Sequence, residues 1–247
     1  MILVPARRCG RRRRIRHRHG PGRAGLMVCQ AVRVHHRLDR LDAAFVSAAA
    51  ISLQLIRRPE VAGRWSKPSV LPKMSVGALA CHLGRQAVRA AELLPVATDV
   101  PPLDSADAHY NSAAWVTSTS PDDPPNDRGT DDADAALGIA ALEHRATDAL
   151  DTVRGILAAG EARDVVLIPW QGWSLRRDDF LLTRLLEILV HSDDLALSID
   201  VSPPSFPDDA LTPVLDLLTR LAVGRHGQSA VIGTLTRQER SRNISAF

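Results

Sequence analysis

The stretch "LLTRLLEILVHSDDLALS", residues 181–198, is dominated by leucine and predicts a helix that is buried around most of its circumference. A strip that we call the polar seam interrupts the leucines at spacings of three or four residues, and it consists of Arg184, Glu187, His191, Asp194 and Ser198. At about 100° per residue, these side chains fall within a strip roughly 100° wide. A surface helix normally shows the reverse pattern, a limited apolar stripe and a wide polar face.

The polar seam has two interpretations. It is either the solvated side of the helix, with Arg184 and Glu187 as a surface pair, or an inward face that binds a ligand. Glu187 and His191 put a carboxylate and an imidazole on one helical face, as in helices that ligate metals. A metal ion needs a third ligand, and the best candidate is His82 in "GALACHLGRQ" (77–86). A lone histidine there equally fits a hydrogen-bonded core residue. The remaining histidines lie in more polar stretches or in the basic N-terminal segment: His17, His19, His35, His36, His109, His144 and His226.

Charge is distributed unevenly along the chain. The formal net charge is +3, from 31 basic and 28 acidic residues, but residues 1–40 hold 12 of the arginines and a single acid, Asp39. Residues 41–247 therefore keep 19 basic against 27 acidic residues, a formal charge of −8. An acidic body argues against nucleic-acid binding by the folded part. Residues 1–30 predict a disordered basic tail, which either binds an anionic surface or nucleic acid, or is an upstream translation with the true start near Met27.

The three cysteines, Cys9, Cys29 and Cys81, form no C-x-x-C pair. Their number and spacing argue against a disulfide framework and against a thiolate zinc site, so a reducing cytoplasm is the expected compartment. The longest apolar run, "AAFVSAAAISLQLI" (43–56), is interrupted by polar residues and is too short to span a bilayer. No membrane association is expected.

Hydrophobic periodicity predicts an all-α protein whose four long helices suffice for a four-helix bundle. These helices are expected at residues 38–58, 75–94, 132–159 and 177–199. Shorter elements are a helix near 109–116, one strand within 164–173, and two C-terminal helices near 208–223 and 228–239. We therefore expect one helical domain at 35–247, with a C-terminal helical extension from about residue 204.

Two segments together carry a family resemblance: "WSKPSVLPKMSVGALACHLGRQ" (65–86) and "DDFLLTRLLEILVHSDDLALSI" (178–199). They resemble the signature segments of the metal-binding N-terminal domain of mycothiol-dependent maleylpyruvate isomerase, within the DinB-like superfamily. The resemblance covers roughly residues 35–200. It implies a four-helix bundle that holds one divalent metal ion through His82, Glu187 and His191. Asp194 would then orient His191 from behind, or else be an exposed helix residue.

Two imidazoles and one carboxylate leave a coordination position open, which is typical of catalytic zinc sites. Zinc is the expected metal, although iron, nickel and manganese accept the same ligands. The open position could bind mycothiol and lower the pKa of its thiol, polarise a carbonyl group, or activate water. Cys81 points about 100° away from His82 on the same helix, so the thiol would come from outside the chain.

Five further side chains are candidates for the surroundings of the site. Arg184 and Arg89 could meet an anionic cosubstrate, and Gln86 could donate a hydrogen bond there, although a surface position is the favoured interpretation for each of them. Trp170 and Trp173 either line the pocket entrance or pack within a loop.

Three functions are compatible with these features. The first is a metal-dependent, mycothiol-linked S-transferase or isomerase that acts on small electrophiles. The second is a non-catalytic metal-binding regulatory or interaction module of the same fold. The isomerase itself carries a further α/β domain after the bundle, whereas residues from 204 onward predict helices, which favours the second. The third, nucleic-acid binding through the basic tail, conflicts with the acidic body.

Overall fold

Four long helices form the bundle that the periodicity predicted. The computed structural model describes residues 41–117 and 129–247, so the predicted tail at residues 1–30 lies outside the described residues. The bundle helices are α1 (residues 41–56), α3 (Val76–Leu93), α6 (Ile139–Ala158) and α7 (Arg177–Ser198). The shorter helices are α2 (Pro59–Gly63), α4 (Ala106–Ser112), α5 (Gly129–Ala136), α8 (Asp208–His226) and α9 (Gln228–Thr236). Single 3₁₀ turns lie at Ala114–Thr117 and Gln238–Arg240.

The bundle core is aliphatic, as the scarcity of aromatic residues suggests. Ile56, Leu79, Leu150 and Leu185 come from the four bundle helices in turn and are at most 3% exposed. Burying each such side chain contributes roughly 1.5–3 kcal/mol. A Cβ atom at Gly84 would lie 2.7 Å from Leu142 Cδ1 and 3.6 Å from Ile56 Cδ1, so α3 approaches α6 and α1 closely at this point.

A serine side chain caps the N-terminus of α3, and another caps the N-terminus of α4. The Ser75 hydroxyl accepts a hydrogen bond from the Ala78 N–H at the start of α3, and the Ser105 hydroxyl does the same for Ala108 in α4. Such caps satisfy N–H groups that have no partner within the helix, typically contributing about 1 kcal/mol. They fix the residue at which each helix begins.

The single helix predicted over 132–159 is wrong, because the chain breaks there into α5 and α6. Gly138 has a φ of +85°, a left-handed conformation that glycine adopts without a steric penalty. Pro59 also begins α2 rather than only ending α1, since proline fits the first position of a helix. The break at Gly138 lets α5 pack across α3 on its own.

A β-hairpin precedes α7, where the sequence analysis expected one strand. Strands β1 (Val165–Ile168) and β2 (Trp173–Arg176) pair antiparallel, and Gly172 in the connecting turn has a φ of +79°. The Leu103 N–H donates to the Ser174 carbonyl over 2.9 Å. The hairpin thereby places its two tryptophans, Trp170 and Trp173, beside the segment that carries α4.

The C-terminal helices are attached to the bundle through α7 and α4. Arg220 of α8 holds both carboxylate oxygens of Asp107, with nitrogen–oxygen distances of 2.9 Å. Beyond α9 the chain turns back, and the Phe247 ring lies 5.2 Å from the Tyr110 ring and 5.1 Å from the Trp115 ring. Among the described helices, none has the length and apolar character needed to cross a membrane.

Candidate metal centre

Three side chains that the sequence singled out converge between α3 and α7. His82 Nε2 lies 3.2 Å from Glu187 Oε2, and His191 Nε2 lies 3.3 Å from the same oxygen. One ligand atom from each residue lies within 4.8 Å of the other two. Bonds of about 2.0–2.2 Å to a common ion need separations of roughly 3–4 Å, so the cluster is close to ligating geometry.

Each imidazole is held from behind by a carboxylate. His82 Nδ1 lies 3.1 Å from Asp131 Oδ2, and His191 Nδ1 lies 3.0 Å from Asp194 Oδ2. An ionised carboxylate only accepts hydrogen bonds, so both Nδ1 atoms donate. In the neutral rings, the lone pair is then on Nε2, the atom that faces Glu187. This arrangement of carboxylate, histidine and open centre is typical of metal sites.

The electrostatics of the cluster favour a cation at its centre. Burial raises the pKa of Glu187, but hydrogen bonds from His191 and His82 outweigh it and hold that pKa well below its usual range. Burial lowers the pKa of His191, while hydrogen bonds to Asp194 and Glu187 raise it, to about 9 overall. Glu187 is therefore ionised, and a proton on His191 occupies the place that a metal ion would take.

The cluster opens into a cavity of about 450 Å³, the size of a small-molecule site. Three arginines, Arg85, Arg89 and Arg184, line it together with the three clustered residues. Arg184 is 4% exposed and forms no ion pair within the described parts of the chain. Three of the five polar-seam residues, Arg184, Glu187 and His191, thus line a cavity.

One protein-family model, described as the mycothiol maleylpyruvate isomerase N-terminal domain, matches residues 45–196, more than half of the chain. This chain belongs to that family. The match runs from α1 into α7 and contains His82, Glu187 and His191. It confirms the resemblance seen in the two sequence segments and places the protein in the DinB-like superfamily. Comparison with curated proteins gave no match, and comparison with solved structures gave none.

The other polar residues proposed from the sequence have distinct places in this mycothiol maleylpyruvate isomerase-type bundle. The buried Gln86 does not line the cavity; its Oε1 accepts from Arg184 Nη1 over 2.8 Å, and its Nε2 donates to the His82 carbonyl over 2.9 Å. The surface interpretation is therefore wrong for Gln86 and Arg184. Ser198 lies away from the cavity and donates to the Asp194 carbonyl over 2.7 Å.

Both tryptophans of the hairpin contact polar residues of the site. The Arg89 guanidinium lies 4.3 Å from the Trp170 ring centroid, in cation–π contact, and Trp170 lines the cavity. Trp173 Nε1 lies 3.1 Å from His109 Nδ1. Of the two roles left open above, Trp170 therefore lines the cavity and Trp173 packs against His109.

Cys81 follows the expectation that it takes no part in the site. It is fully buried, and it is absent from the cavity wall. Burial, together with the charge of Asp134, raises the pKa of its thiol to about 12. At neutral pH this thiol stays protonated and is a poor nucleophile.

Asp131 is the residue that the sequence analysis missed. It lies on α5, and its other oxygen pairs with Arg85 Nη1 over 2.6 Å. Arg85 also pairs with Asp134, which in turn holds Arg145 at 2.8 Å. No local pattern distinguishes Asp131 from its acidic neighbours, and it is 49 residues from His82. Asp131 reaches His82 only because α5 packs on α3 in the folded chain.

Proposed function

We propose that this protein is a metal-dependent enzyme that joins mycothiol, or a thiol like it, to small electrophiles, as an S-transferase or thiol-assisted isomerase. In this proposal His82, Glu187 and His191 hold one divalent ion, with zinc as the first expectation. The observation that carries it is the convergence of these three side chains at the wall of a small-molecule cavity, with each imidazole oriented by its own carboxylate.

The donor set fits such an ion. Two neutral imidazole nitrogens and one carboxylate oxygen leave room for an exogenous ligand, and the depressed pKa of Glu187 keeps its charge available. When bound, the ion would supply Lewis acidity that lowers the pKa of a thiol. The low reactivity of Cys81 supports a thiol that comes from outside the chain.

The remaining cavity residues suit a substrate that carries an oxyanion. Arg184 is buried without an ion pair among the described residues, and its neighbour Gln86 fixes its direction. Burying an unpaired guanidinium is costly, and an anionic ligand group removes that cost. Arg89, which lies against the Trp170 ring, supplies a further positive charge at the cavity wall.

A non-catalytic metal-binding module is the second candidate. The observation that favours it is that helices α8 and α9 follow the bundle, where the isomerase is expected to carry an α/β domain. In both proposals, the bundle to α7 is the metal-binding part and the chain from about residue 204 is an extension.

The deciding experiment measures metal content and turnover together. Protein purified without a histidine tag is analysed for bound metal, and thiol consumption is followed with small electrophiles, with and without mycothiol. We expect Glu187→Ala and His191→Ala to lose metal and turnover, and Cys81→Ser to keep both. Full metal loading with no thiol-dependent turnover would favour the non-catalytic module.

A further inference from the structure

His109 on α4 lies in the wall of the same cavity but takes no part in the metal cluster. Its side chain is buried, with 4% of the residue exposed. The ring packs edge-on against Tyr110 and Trp173, with centroid distances of 5.0 Å and 5.8 Å. The sequence offered no reason to select it over the other histidines.

The hydrogen bond to Trp173 determines where the proton of His109 is. Indole Nε1–H is a donor and cannot accept, and it lies 3.1 Å from His109 Nδ1. Nδ1 must therefore accept, which leaves the ring neutral with its single proton on Nε2. Burial, and then the nearby charge of Arg184, lower the pKa of His109 to about 4, against a smaller opposing effect of Glu187. The ring stays neutral at pH 7.

The Nε2–H group is the free end of this arrangement. It has no hydrogen-bond partner within residues 41–117 and 129–247. It is also absent from the fully buried polar atoms that lack a partner, so the atom is still accessible. A donor that is held in place, nearly buried and open only to a cavity is suited to a ligand acceptor.

We propose that His109 is a substrate-binding residue, whose Nε2–H donates a hydrogen bond to a carbonyl or carboxylate oxygen of the electrophile. Trp173 is the positioning residue that fixes the required tautomer. The ligand part rests on the proposed function, because it takes the electrophile to bind in this cavity. A neutral donor adds no further positive charge to the arginines of the cavity wall, and it binds an uncharged carbonyl as well as a carboxylate.

The tautomer is tested without any ligand by ¹⁵N NMR of the imidazole rings of the full chain, with His109 assigned by difference from His109→Phe. We expect a neutral ring protonated on Nε2 and unchanged between about pH 6 and pH 8. In Trp173→Phe, which removes the indole donor, we expect Nδ1 to become protonated in part of the molecules. A wild-type ring that is charged at pH 7, or protonated on Nδ1, overturns the proposal, and this wild-type measurement does not depend on how Trp173→Phe folds.

The binding role is tested with acetate, a small oxygen acceptor, on the zinc-loaded protein. Saturating acetate should shift the His109 Nε2–H resonance, and His109→Phe should weaken acetate binding at least tenfold with unchanged metal content. His144→Phe is the matched control, since the His144 side chain is 80% exposed and lies outside the cavity wall. Acetate that leaves the Nε2–H resonance unmoved, or that binds His109→Phe equally well, overturns this role.

With an active electrophile, His109→Phe should lower kcat/KM about 10- to 1,000-fold, whereas His109→Gln, which keeps an N–H donor, should recover part of the loss. If no electrophile is turned over by the wild-type protein, the proposed enzyme fails, while the tautomer and acetate results still decide the role of His109.

Discussion

His82 Nδ1 and Asp131 Oδ2 lie 3.1 Å apart, although 49 positions separate the two residues in the chain. The contact joins α3 to α5 and determines which nitrogen of the imidazole faces Glu187. Asp194 makes the equivalent contact with His191 inside α7. Each ring is thus oriented by a carboxylate of the protein itself, with Nε2 turned toward Glu187.

Asp131→Ala should weaken divalent metal binding about 10- to 100-fold, because His82 loses the carboxylate that fixes its tautomer and ring orientation. Competition with a chromogenic chelator measures the affinity. Asp132→Ala is the control, since Asp132 is the next residue of α5 and is exposed. Equal affinities for the two variants would show that Asp131 does not support the site.

Metal affinity should depend on pH through His191. Its pKa of about 9 means that a proton must leave before the metal binds, so the proton competes below that pH. We expect the apparent affinity to rise about tenfold per pH unit between about pH 6 and pH 8 and to level off above about 9. Isothermal titration at several pH values measures this slope, and a flat profile over that range would contradict the prediction.

Gly77→Ala should lower both stability and metal affinity. An added Cβ would lie 2.6 Å from Trp65 Cε2, and the Trp65 indole donates to the Ala135 carbonyl on α5, the helix of Asp131. Overpacking of this kind costs about 1–3 kcal/mol. Gly155→Ala is the control in the last turn of α6, where an added Cβ meets nothing within 4 Å and should stabilise by up to about 1 kcal/mol. Urea unfolding midpoints that move in the same direction would refute the pair of predictions.

Cys81 should be unreactive in the folded protein. Its pKa of about 12 leaves very little thiolate at pH 8, and the residue is fully buried. In a chain with Cys9→Ser and Cys29→Ser, a disulfide reagent such as DTNB should label no thiol until denaturant is added. Fast labelling of the folded chain would contradict the burial of Cys81 and reopen the question of an internal nucleophile.

The convergence of His82, Glu187 and His191 was predictable because its signals are local. Glu187 and His191 share a helical face by their spacing, and His82 interrupts an apolar helix with a serine cap. Asp131 and His109 gave no such signal, since each acquires its role through a partner from another element. The same applies to Gly138. It ends a long amphipathic pattern in the middle, and that break depends on how α5 packs on α3. The β2 strand was missed because its four residues run directly into α7.

The Phe247 ring completes an aromatic side of the cavity that also contains Trp115, yet it lies beyond residues 45–196, the part shared with the family. The clustered histidines and glutamate all lie inside that shared part. Substitutions after α7 can therefore change which molecules fit the cavity without changing His82, Glu187 or His191. Under the proposed function, selectivity and metal binding are separately mutable, and the extension is the place to engineer a new substrate range.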